Sequence, residues 1–387
     1  MSDNTPRTRP TPRIAIVGAG VGGLTLARVL RVHGVEAVVY ERETSRTARS
    51  QGGMLDLHTD SGQRAMREAG LEAEFRAIAR REGQDMRLLD PAGTLLLQED
   101  TPDDAPLDRP EVDRADLRNV LLDSLPETAV VWGRAFRHAT PLPGGGHRLH
   151  FADGTHADCD LLVGADGANS RVRPLVTDAR PTPIGVTSIE SGISDIDRTH
   201  PELAAMVGRG NCWAVGVNQC LAAQRNGDGR VRVHCAFRTS DDWLTTSGIA
   251  FDDPAAARAA LLDRFSGWAP RLTALIEACD DSFVPRPTTV LPIGLTWPAT
   301  PGVTLLGDAA HLMPPAGHGA NMAMLDAVEL ALALTAHPGD QATAVRRYET
   351  AMFERGAEAA RESARIMDIL LSPDGAQSML KFFQGPS

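Results

Sequence analysis

The sequence predicts an α/β protein in which a parallel-sheet domain is joined to a second domain with a mixed β-sheet and to a long C-terminal helix. The first observation is a strand, a helix and a strand in succession within residues 13–41. The second is that short apolar runs at 160–164 and 303–306 have the composition of strands buried on both faces of a parallel sheet. The third is a helical pattern over 342–371.

Glycines and an acidic residue mark the ends of the predicted elements in the first unit. The strand at 13–17 ends in glycines, and Gly34 fits the C-terminal stop of a helix over 21–33. A second strand, 37–40, ends in Glu41. Further predicted elements are helices over 61–69 and 114–125, capped by Ser61 and Asp113, helices over 254–265, 320–336 and 342–371, a hairpin around 153–154, and strands over 87–98 and 231–237.

Charge and composition exclude several kinds of partner. The chain has 387 residues and a formal net charge of −11. Such an acidic protein repels nucleic-acid phosphates and anionic membranes, so neither is an expected partner. We find no apolar run long enough to cross a bilayer, and residues 1–12 lack the apolar stretch of a signal peptide. We expect a cytoplasmic protein, and we expect it to be a monomer.

The cysteines give no framework for disulfides or metals. The five of them, at positions 159, 212, 220, 235 and 279, are scattered, and none forms a Cys-x-x-Cys pair. A disulfide framework or a zinc site is therefore not expected, whereas buried thiol side chains are. The histidines also lack the spacing of metal ligands, so no metal site is predicted.

Residues 18–23 read Gly-Ala-Gly-Val-Gly-Gly, directly between the first strand and helix. Gly18 permits a tight turn, Gly20 lets the backbone approach a pyrophosphate, and Gly23 allows the helix to pack closely on the strand. Glu41 ends the second strand, where a carboxylate accepts hydrogen bonds from a ribose. This is the Rossmann-type dinucleotide-binding arrangement. The alternative is a glycine-rich turn that binds nothing.

Two later motifs separate FAD from NAD. Residues 160–173 place Asp166-Gly167 after a buried strand, and residues 307–321 read Gly-Asp-Ala-Ala-His, then, from Pro314, Pro-Pro-Ala-Gly-His-Gly-Ala-Asn. In this order and spacing, the three motifs resemble those of the class A FAD-dependent aromatic hydroxylases. Within that family, segments 49–58, 110–118 and 307–315 resemble the tetracycline-inactivating monooxygenases.

The resemblance implies an FAD site and assigns residues to it. Arg42, Asp56, Arg114 and Asp308 would contact FAD, and Arg49 would help to bind a phosphorylated nicotinamide cofactor. The Asp-Gly motif would serve FAD and a transiently bound NADPH or NADH, and the glycine-rich turn before the 320–336 helix would lie against the flavin ring. The full predicted cofactor-binding set is Gly18, Gly20, Gly23, Glu41, Arg42, Arg49, Asp56, Arg114, Arg118, Asp166, Asp308, Gly317, Gly319 and Asn321.

The residues themselves leave alternatives open. Arg42, Arg46 and Arg49 form a basic cluster suited to phosphates, or else a solvated loop. Asp56 could be a helix or turn cap, and Arg114 and Arg118 could form salt bridges on a helix surface. His58 and His311 are interpreted as hydrogen-bonded structural groups rather than catalytic ones.

The resemblance also implies the reaction. NAD(P)H would reduce the flavin, which would react with O2 to a C4a-hydroperoxide and pass one oxygen to a polycyclic or aromatic substrate. Because the flavin carries this chemistry, no catalytic side chain is assigned. Tetracycline inactivation is the leading specific activity, and hydroxylation of another polyketide or phenol is the alternative.

The substrate side differs from that of the tetracycline enzymes. By position, Glu190 and Cys212 would stand where those enzymes use a glutamine and an arginine. His234 would match a histidine of the pocket, and Pro315 would lie beside the flavin. A carboxylate in place of an amide, and the loss of a cation, should change which polar groups the pocket prefers.

The predicted domains are discontinuous in sequence. We assign 1–80, 108–178 and 283–335 to an FAD-binding domain, 81–107 and 179–282 to a substrate domain, and 336–387 to a C-terminal helical segment. Rival functions on the same scaffold are a flavin oxidase, a dehydrogenase, a halogenase, and a non-catalytic protein that sequesters flavin or drug. The presence of one lysine, Lys381 near the C-terminus, argues against a halogenase.

Overall fold

The computed structural model describes residues 13–48, 52–143 and 145–385. Its strands are β1 (Ile14–Val17), β2 (Ala37–Tyr40), β3 (Met54–Asp56), β4 (Met86–Leu89), β5 (Leu95–Glu99), β6 (Glu111–Asp113), β7 (Val130–Val131), β8 (Phe136–Pro141), β9 (His147–Phe151), β10 (His156–Cys159), β11 (Leu161–Gly164), β12 (Thr182–Ile193), β13 (Asn211–Gly216), β14 (Gln219–Arg225), β15 (Val231–Arg238), β16 (Val284–Val290) and β17 (Val303–Leu305). Its α-helices are α1 (Val21–Val32), α2 (Gly62–Glu68), α3 (Glu72–Ile78), α4 (Arg114–Asp123), α5 (Ile196–Thr199), α6 (Pro201–Val207), α7 (Trp243–Thr246), α8 (Pro254–Arg264), α9 (Pro270–Glu277), α10 (Asp308–His311), α11 (His318–Ala336), α12 (Gln341–Leu370) and α13 (Gly375–Gln384).

A five-stranded parallel sheet forms the first half of the molecule, in the order β17-β11-β1-β2-β7. Every residue of β1 and β11 is buried, as expected for central parallel strands covered on both faces. The helix that follows β1 packs against α11. The strand-helix-strand unit predicted at 13–41 is present, and the predicted α/β class is confirmed.

Helix α11 corrects one expectation. By length and composition alone, this 19-residue helix is long and apolar enough to cross a membrane, since an 18-residue window within it has a mean hydropathy of 1.2. The expectation that the chain has no such run is therefore wrong. In the structure α11 packs against α1 and α12, and Met324, Val328 and Leu330 belong to the hydrophobic core. Packing inside the protein explains its apolar composition.

A mixed seven-stranded sheet forms the second half, in the order β16-β12-β15-β14-β13-β4-β5. Its neighbouring strands are antiparallel except for the parallel pair β13 and β4. One face packs against α6, α8 and α9 through a core that includes Ile189, Val233 and Phe237. The mixed sheet was predicted, and the limits assigned to the two domains stay a prediction.

The long C-terminal helix contacts both sheets. It was predicted over 342–371, and α12 spans Gln341–Leu370. The Tyr348 hydroxyl donates to the carbonyl of Leu305 in the parallel sheet at 2.8 Å. Near its other end, Met367 packs in one apolar cluster with Val215 of the mixed sheet. The helix therefore connects the two halves.

Two predicted helix caps have other partners. Ser61 and Asp113 precede α2 and α4, but neither side chain bonds to its own helix. The Ser61 hydroxyl donates to Asn321 at 3.1 Å. The Asp113 carboxylate accepts from Asn226 Nδ2 at 3.1 Å and from the backbone N–H of Gly227 at 3.0 Å. Both residues use tertiary contacts in place of the predicted local ones.

Candidate functional site

The loop at residues 18–23 connects β1 to α1. A Cβ on Gly18, where φ is 111°, would lie 2.3 Å from the carbonyl oxygen of Ala165, and one on Gly23 would lie 2.1 Å from that of Gly18. Both positions require glycine because backbone packs on backbone. Gly20 differs, since no described atom lies within 4 Å of a Cβ built there. This open side and the N-terminus of α1 leave room and N–H groups for a pyrophosphate.

Glu41 lies beneath this loop and is 8% exposed. Its Oε2 accepts a hydrogen bond from the N–H of Ala19 at 2.7 Å, and its Oε1 accepts from the N–H of Glu43 at 2.9 Å. Each oxygen keeps a further lone pair, so the carboxylate can still accept a bond from a ribose hydroxyl. Besides its predicted bond to a ribose, Glu41 therefore holds the backbone of the glycine-rich loop in place.

Arg118 supports the loop from behind. This buried guanidinium donates from Nε to the carbonyl of Ala19 at 3.0 Å and from Nη1 to the carbonyl of Arg46 at 2.9 Å. It also faces Glu43, with 3.4 Å between Nη2 and Oε2. Arg118 therefore positions the backbone of the loop, and its predicted contact with the cofactor stays a prediction.

The other predicted arginines have different surroundings. Arg46 donates to two side chains of α4 on the surface, which agrees with the solvated-loop alternative. Arg42 is exposed beside Glu41. Arg114 begins α4, and its backbone N–H donates to the carbonyl of Gly53 at 3.1 Å. Arg49 lies outside the described residues.

Asp166 follows β11 and lies beside Gly18. Its Oδ2 accepts from the backbone N–H groups of Arg171 at 2.7 Å and Val172 at 3.3 Å. Burial raises the pKa of Asp166, although the Ser170 hydroxyl and these N–H groups oppose the shift. Its Oδ1 is buried with no partner among the described groups, so it offers an acceptor to a ligand hydroxyl.

Asp308 begins the short helix α10 beside the start of α11. Its carboxylate lies 3.6 Å from the position of a Cβ on Gly319. Arg173 holds this turn, donating from Nη2 to the Asp308 carbonyl at 3.0 Å and from Nε to the Ala309 carbonyl at 2.8 Å. Because Arg173 belongs to the same segment as Asp166, it joins the second motif to the third.

A buried carboxylate on α11, Asp326, supports the same turn and was missed in the sequence. Its Oδ2 contacts the N–H of Gly307 at 3.1 Å and Nε2 of His311 at 2.6 Å, and its Oδ1 contacts Arg355 at 3.2 Å. Burial lowers the pKa of His311, but the Asp326 charge and hydrogen bond outweigh it and the net shift is upward. His311 is a structural group, as predicted. The one sign of Asp326 in the sequence was an acidic residue among the apolar residues of α11.

The turn before α11 is tied to β3. Pro315 is exposed there. Gly317 has a φ of 88°, and a Cβ on it would lie 3.3 Å from the Asp56 carboxylate oxygens. The buried Asn321 amide donates to the carbonyls of Asp56 at 2.7 Å and Gly317 at 3.0 Å, and its Oδ1 accepts from three groups within 58–62. The Asn321 side chain therefore joins the segment at 56–62 to the start of α11 as a clamp, and its predicted contact with the cofactor stays a prediction.

One face of the mixed sheet carries a row of side chains from four adjacent strands. Trp213 on β13 is opposite Ala222 on β14. Ala222 is in turn opposite His234 on β15, and His234 is opposite Glu190 on β12. Partners directly opposite in a sheet point to the same face, so these residues form a continuous surface, called here the substrate row. The predicted residues Glu190 and His234 are therefore brought together.

Cys212 points to the other face. Like the other four cysteines it is buried and unpaired, and burial raises the pKa of its thiol to about 11. It packs in the core beneath α6, α8 and α9. Side chains alternate along a strand, so a difference of one residue changes the face. The predicted substrate contact of Cys212 stays a prediction, and the structure places its side chain on the face opposite that of Trp213 and His234.

The two ends of the substrate row have different neighbours: Trp213 and Ala222 pack with residues of α12 and α13, whereas the face beside His234 approaches the segment before β3. Arg232 is two residues before His234 on β15 and shares its face, and its Nη2 lies 2.9 Å from a Cβ position on Gly52, just before β3. Glu190 pairs with Arg286 at 3.2 Å. Burial lowers the pKa of His234, Glu190 opposes this and Arg232 adds to it. Arg232 was missed, although the alternation of β15 indicated it.

These features fit a dinucleotide that carries a flavin. The open side of Gly20 suits a pyrophosphate, and Glu41 and Asp166 supply acceptors for hydroxyl groups. Asp308 and Gly317 lie together at the N-terminus of α11, whose N–H groups favour an electron-rich ring edge or an oxyanion.

Comparison with known proteins decides the family. The family described as FAD binding domain matches residues 11–242 and 300–363. Monooxygenase asqM of Emericella nidulans is 32% identical over 375 residues, covering 82% of this chain and 83% of the relative. The chain belongs to the class A FAD-dependent monooxygenases.

Two further proteins resemble this FAD-dependent monooxygenase over nearly its whole length. The 3-amino-4-hydroxybenzoate 2-monooxygenase PtmB3 of Streptomyces platensis is 32% identical over 375 residues, covering 96% of this chain and 91% of the relative. The solved structure of tetracycline destructase Tet(51) has a TM-score of 0.72 at 19% identity, covering 95% of this chain and 94% of that one. At that identity the second likeness shows the fold alone.

Proposed function

We propose that this monooxygenase hydroxylates an aromatic small molecule held against the substrate row. The observation that carries the proposal is that His234 and Glu190 share one sheet face with Trp213, and that Arg232 on the same face contacts the segment leading into β3. The relative that acts on 3-amino-4-hydroxybenzoate supports an aromatic substrate. FAD, when bound, takes a hydride from a nicotinamide and activates oxygen.

The side chains of the row suit a ring with polar substituents. Trp213 and Ala222 form an apolar end of the row, where they pack beside Phe383 and Met379 of α13. His234, which burial favours in the neutral form, can donate or accept a hydrogen bond to a phenol or an amine. Glu190, beside Arg286, adds a charged end to the row. The row therefore orients a ring by one apolar and one polar edge.

Tetracycline inactivation is a narrower form of this proposal. Its support is the resemblance of segments 49–58 and 307–315 and the fold shared with a tetracycline destructase. Glu190, in place of an amide, favours substrates that present a donor at this end of the pocket. Other phenolic or polyketide substrates remain the alternative within the same proposal.

The partners belong to the proposal as well. NADPH or NADH supplies the electrons, O2 is the second substrate, and the protein works as a cytoplasmic monomer. The reaction class supports the first two, because a monooxygenase needs an external electron donor and oxygen. Arg49, the predicted contact for a phosphorylated nicotinamide, lies outside the described residues.

The test is NADPH and NADH consumption by FAD-loaded protein with 3-amino-4-hydroxybenzoate, tetracycline and a set of phenols, followed by mass spectrometry. We expect an aromatic substrate to stimulate the oxidation and to give a product heavier by one oxygen. His234→Ala should raise KM for that substrate about tenfold. Cys212→Ala, on the opposite face, is the matched control and should leave KM unchanged.

Three other results argue against the proposal in different ways. Peroxide formation without any oxygenated product would reject hydroxylation of these aromatics. An equal KM change in the His234 and Cys212 variants would reject the substrate row. Absence of NADPH and NADH oxidation would favour a protein that sequesters its ligand.

A further inference from the structure

Asp56 and His58 form a pair at the edge of the proposed cofactor site. His58 Nε2 lies 2.8 Å from Asp56 Oδ2. The side chains are 17% exposed for His58 and 27% exposed for Asp56. Asp56 also lies against the Gly317 turn, where α11 begins. The pair therefore connects that turn to solvent.

His58 Nε2 faces two groups with opposite requirements. Asp56 accepts hydrogen bonds, whereas Arg109 Nη2, 3.0 Å from the same ring nitrogen, donates them. A ring nitrogen carries either a proton or a lone pair, so it satisfies one partner at a time. With its proton Nε2 donates to Asp56, and without it Nε2 accepts from Arg109. This proton can move, unlike that of His311, whose Nε2 faces the buried Asp326.

Titratable and charged groups surround His58 on every side that packs against it. The His318 ring is edge-on to His58, with 5.7 Å between centroids. Burial lowers the pKa of His318, and His58 and Arg109 lower it further, so this ring is favoured in the neutral form. The groups near the pair are Glu111 of β6, Arg109 before β6 and His318 of α11, and the charge of Glu362 on α12 acts on His318. Imidazole side chains are common carriers of protons between water and buried groups.

The reaction class consumes a proton. In each turnover R–H, NAD(P)H, O2 and H⁺ give R–OH, NAD(P)⁺ and H2O, and without a substrate NAD(P)H, O2 and H⁺ give NAD(P)⁺ and H2O2. We propose that His58 and Asp56 relay this proton from solvent to the cofactor site, an inference that rests on the proposed function. A proton from solvent first binds Nδ1, the second ring nitrogen of His58. The Nε2–H bond then breaks as an O–H bond forms on Asp56, which leaves His58 neutral with its proton on Nδ1. Asp56 releases its proton to the water or peroxide that forms, and proton exchange with solvent returns His58 to the Nε2–H form.

Reoxidation of chemically reduced, FAD-loaded protein by O2 isolates this step. It needs neither NADPH nor a substrate, because reduced anionic FAD, O2 and H⁺ give oxidised FAD and H2O2. We expect His58→Gln to slow reoxidation about tenfold or more, to flatten its pH profile, and to be partly rescued by added imidazole. FAD affinity, measured by flavin fluorescence, should stay within about twofold of wild type. His156→Gln, an exposed change on β10, is the matched control.

Two results would overturn the relay. One is a His58→Gln protein with the reoxidation rate and solvent isotope effect of wild type. The other is a slow variant that binds FAD weakly and is not rescued by imidazole, since that is the behaviour of a structural residue. Because no aromatic compound enters the test, its failure is separate from failure of the proposed function.

A second variant keeps the relay testable if His58→Gln does not fold. Arg109 is exposed, so Arg109→Gln should fold. Removing this donor leaves Asp56 as the partner of Nε2, so the rate of reoxidation should change by more than about twofold while FAD affinity does not. An unchanged rate would reject the relay.

Discussion

Gly20 and Gly23 are three residues apart in the loop after β1, and they are glycines for different physical reasons. A Cβ on Gly23 would lie 2.1 Å from a backbone oxygen, whereas one on Gly20 would enter open space. We predict that Gly23→Ala lowers the free energy of unfolding of the apoprotein by about 1–3 kcal/mol. Gly20→Ala should leave that stability unchanged and weaken FAD binding about tenfold or more, because the methyl group occupies the place of the pyrophosphate.

Urea denaturation of the apoproteins and flavin titration measure the two effects separately. Each variant serves as the control for the other. Equal loss of stability in both variants would contradict the assignment of Gly20 to the cofactor.

The sequence predicted which residues lie at the cofactor site better than it predicted the hydrogen-bond partner of each side chain. Glu41 and Asp166 lie where their motifs put them, since a strand end fixes their position. Arg118 and Asn321 were also assigned to the cofactor, but the structure shows their side chains hydrogen-bonded to groups of the protein, mostly backbone carbonyls. The partner of a long or branched polar side chain depends on distant segments, and these are not visible in a local motif.

At the level of elements, the face on which a residue lies could be predicted for a strand with one polar and one apolar face, but not for a strand that is apolar on both. Along β15, Val231 and Val233 alternate with Arg232 and His234, so its two faces can be assigned from sequence. β13 is apolar on both faces, because α13 and the end of α12 cover the face opposite its helical core. The alternation of β13 therefore does not show which face a residue is on, and the predicted substrate residue Cys212 lies on the face opposite that of Trp213.

The clamp between β3 and α11 is also a property of elements. Asn321→Ala would leave a buried hydroxyl and two N–H groups in 58–62 without their acceptor. We predict a loss of about 2–4 kcal/mol in the free energy of unfolding, with faster amide exchange confined to 56–62 and the start of α11.

Asn119→Ala is the matched control. Asn119 accepts one hydrogen bond, from Arg46 on the surface, and its loss should cost well under about 1 kcal/mol. Chemical denaturation and hydrogen exchange are the measurements. Uniformly faster exchange across the parallel sheet would show that Asn321 acts on the whole domain and not as a local clamp.

In the whole molecule, Glu111 lies where the two halves meet. It is opposite Asp56 in the β3–β6 pair and bonds to Asn211 of the mixed sheet. Burial, then the Asp56 charge, raise the pKa of Glu111 to about 8. The folded state therefore holds a proton that the unfolded chain releases above its ordinary pKa, so stability falls as pH rises from about 4.5 to about 8 and is level above that.

Glu111→Gln removes this dependence. We expect the variant to lose less stability than wild type between pH 5 and pH 9, by on the order of 1–3 kcal/mol. Urea denaturation at the two pH values measures it, with Glu72→Gln, an exposed change on α3, as control. The same loss in all three proteins would show that Glu111 titrates normally.

The sequence predicts which sheets and helices the molecule contains, but not how the long helix contacts the two sheets. The periodicity of apolar residues, together with the glycines and polar residues that end elements, predicts the parallel sheet, the mixed sheet and the span of α12. The contact of α12 with both sheets was not visible, because Tyr348 and Met367 each meet strands that are distant in sequence. Periodicity reports which residues of a helix are buried, but it does not identify the surface that buries them.

The substrate row takes one side chain from each of four strands, and backbone hydrogen bonds hold all four strands in register. A substitution in the row therefore changes the surface presented to a substrate without disturbing strand pairing or the loop after β1. Single substitutions in this surface can therefore be selected for new compounds, while the paired strands and the loop after β1 stay unchanged. Divergence of substrate preference within one lineage then requires no remodelling of the scaffold.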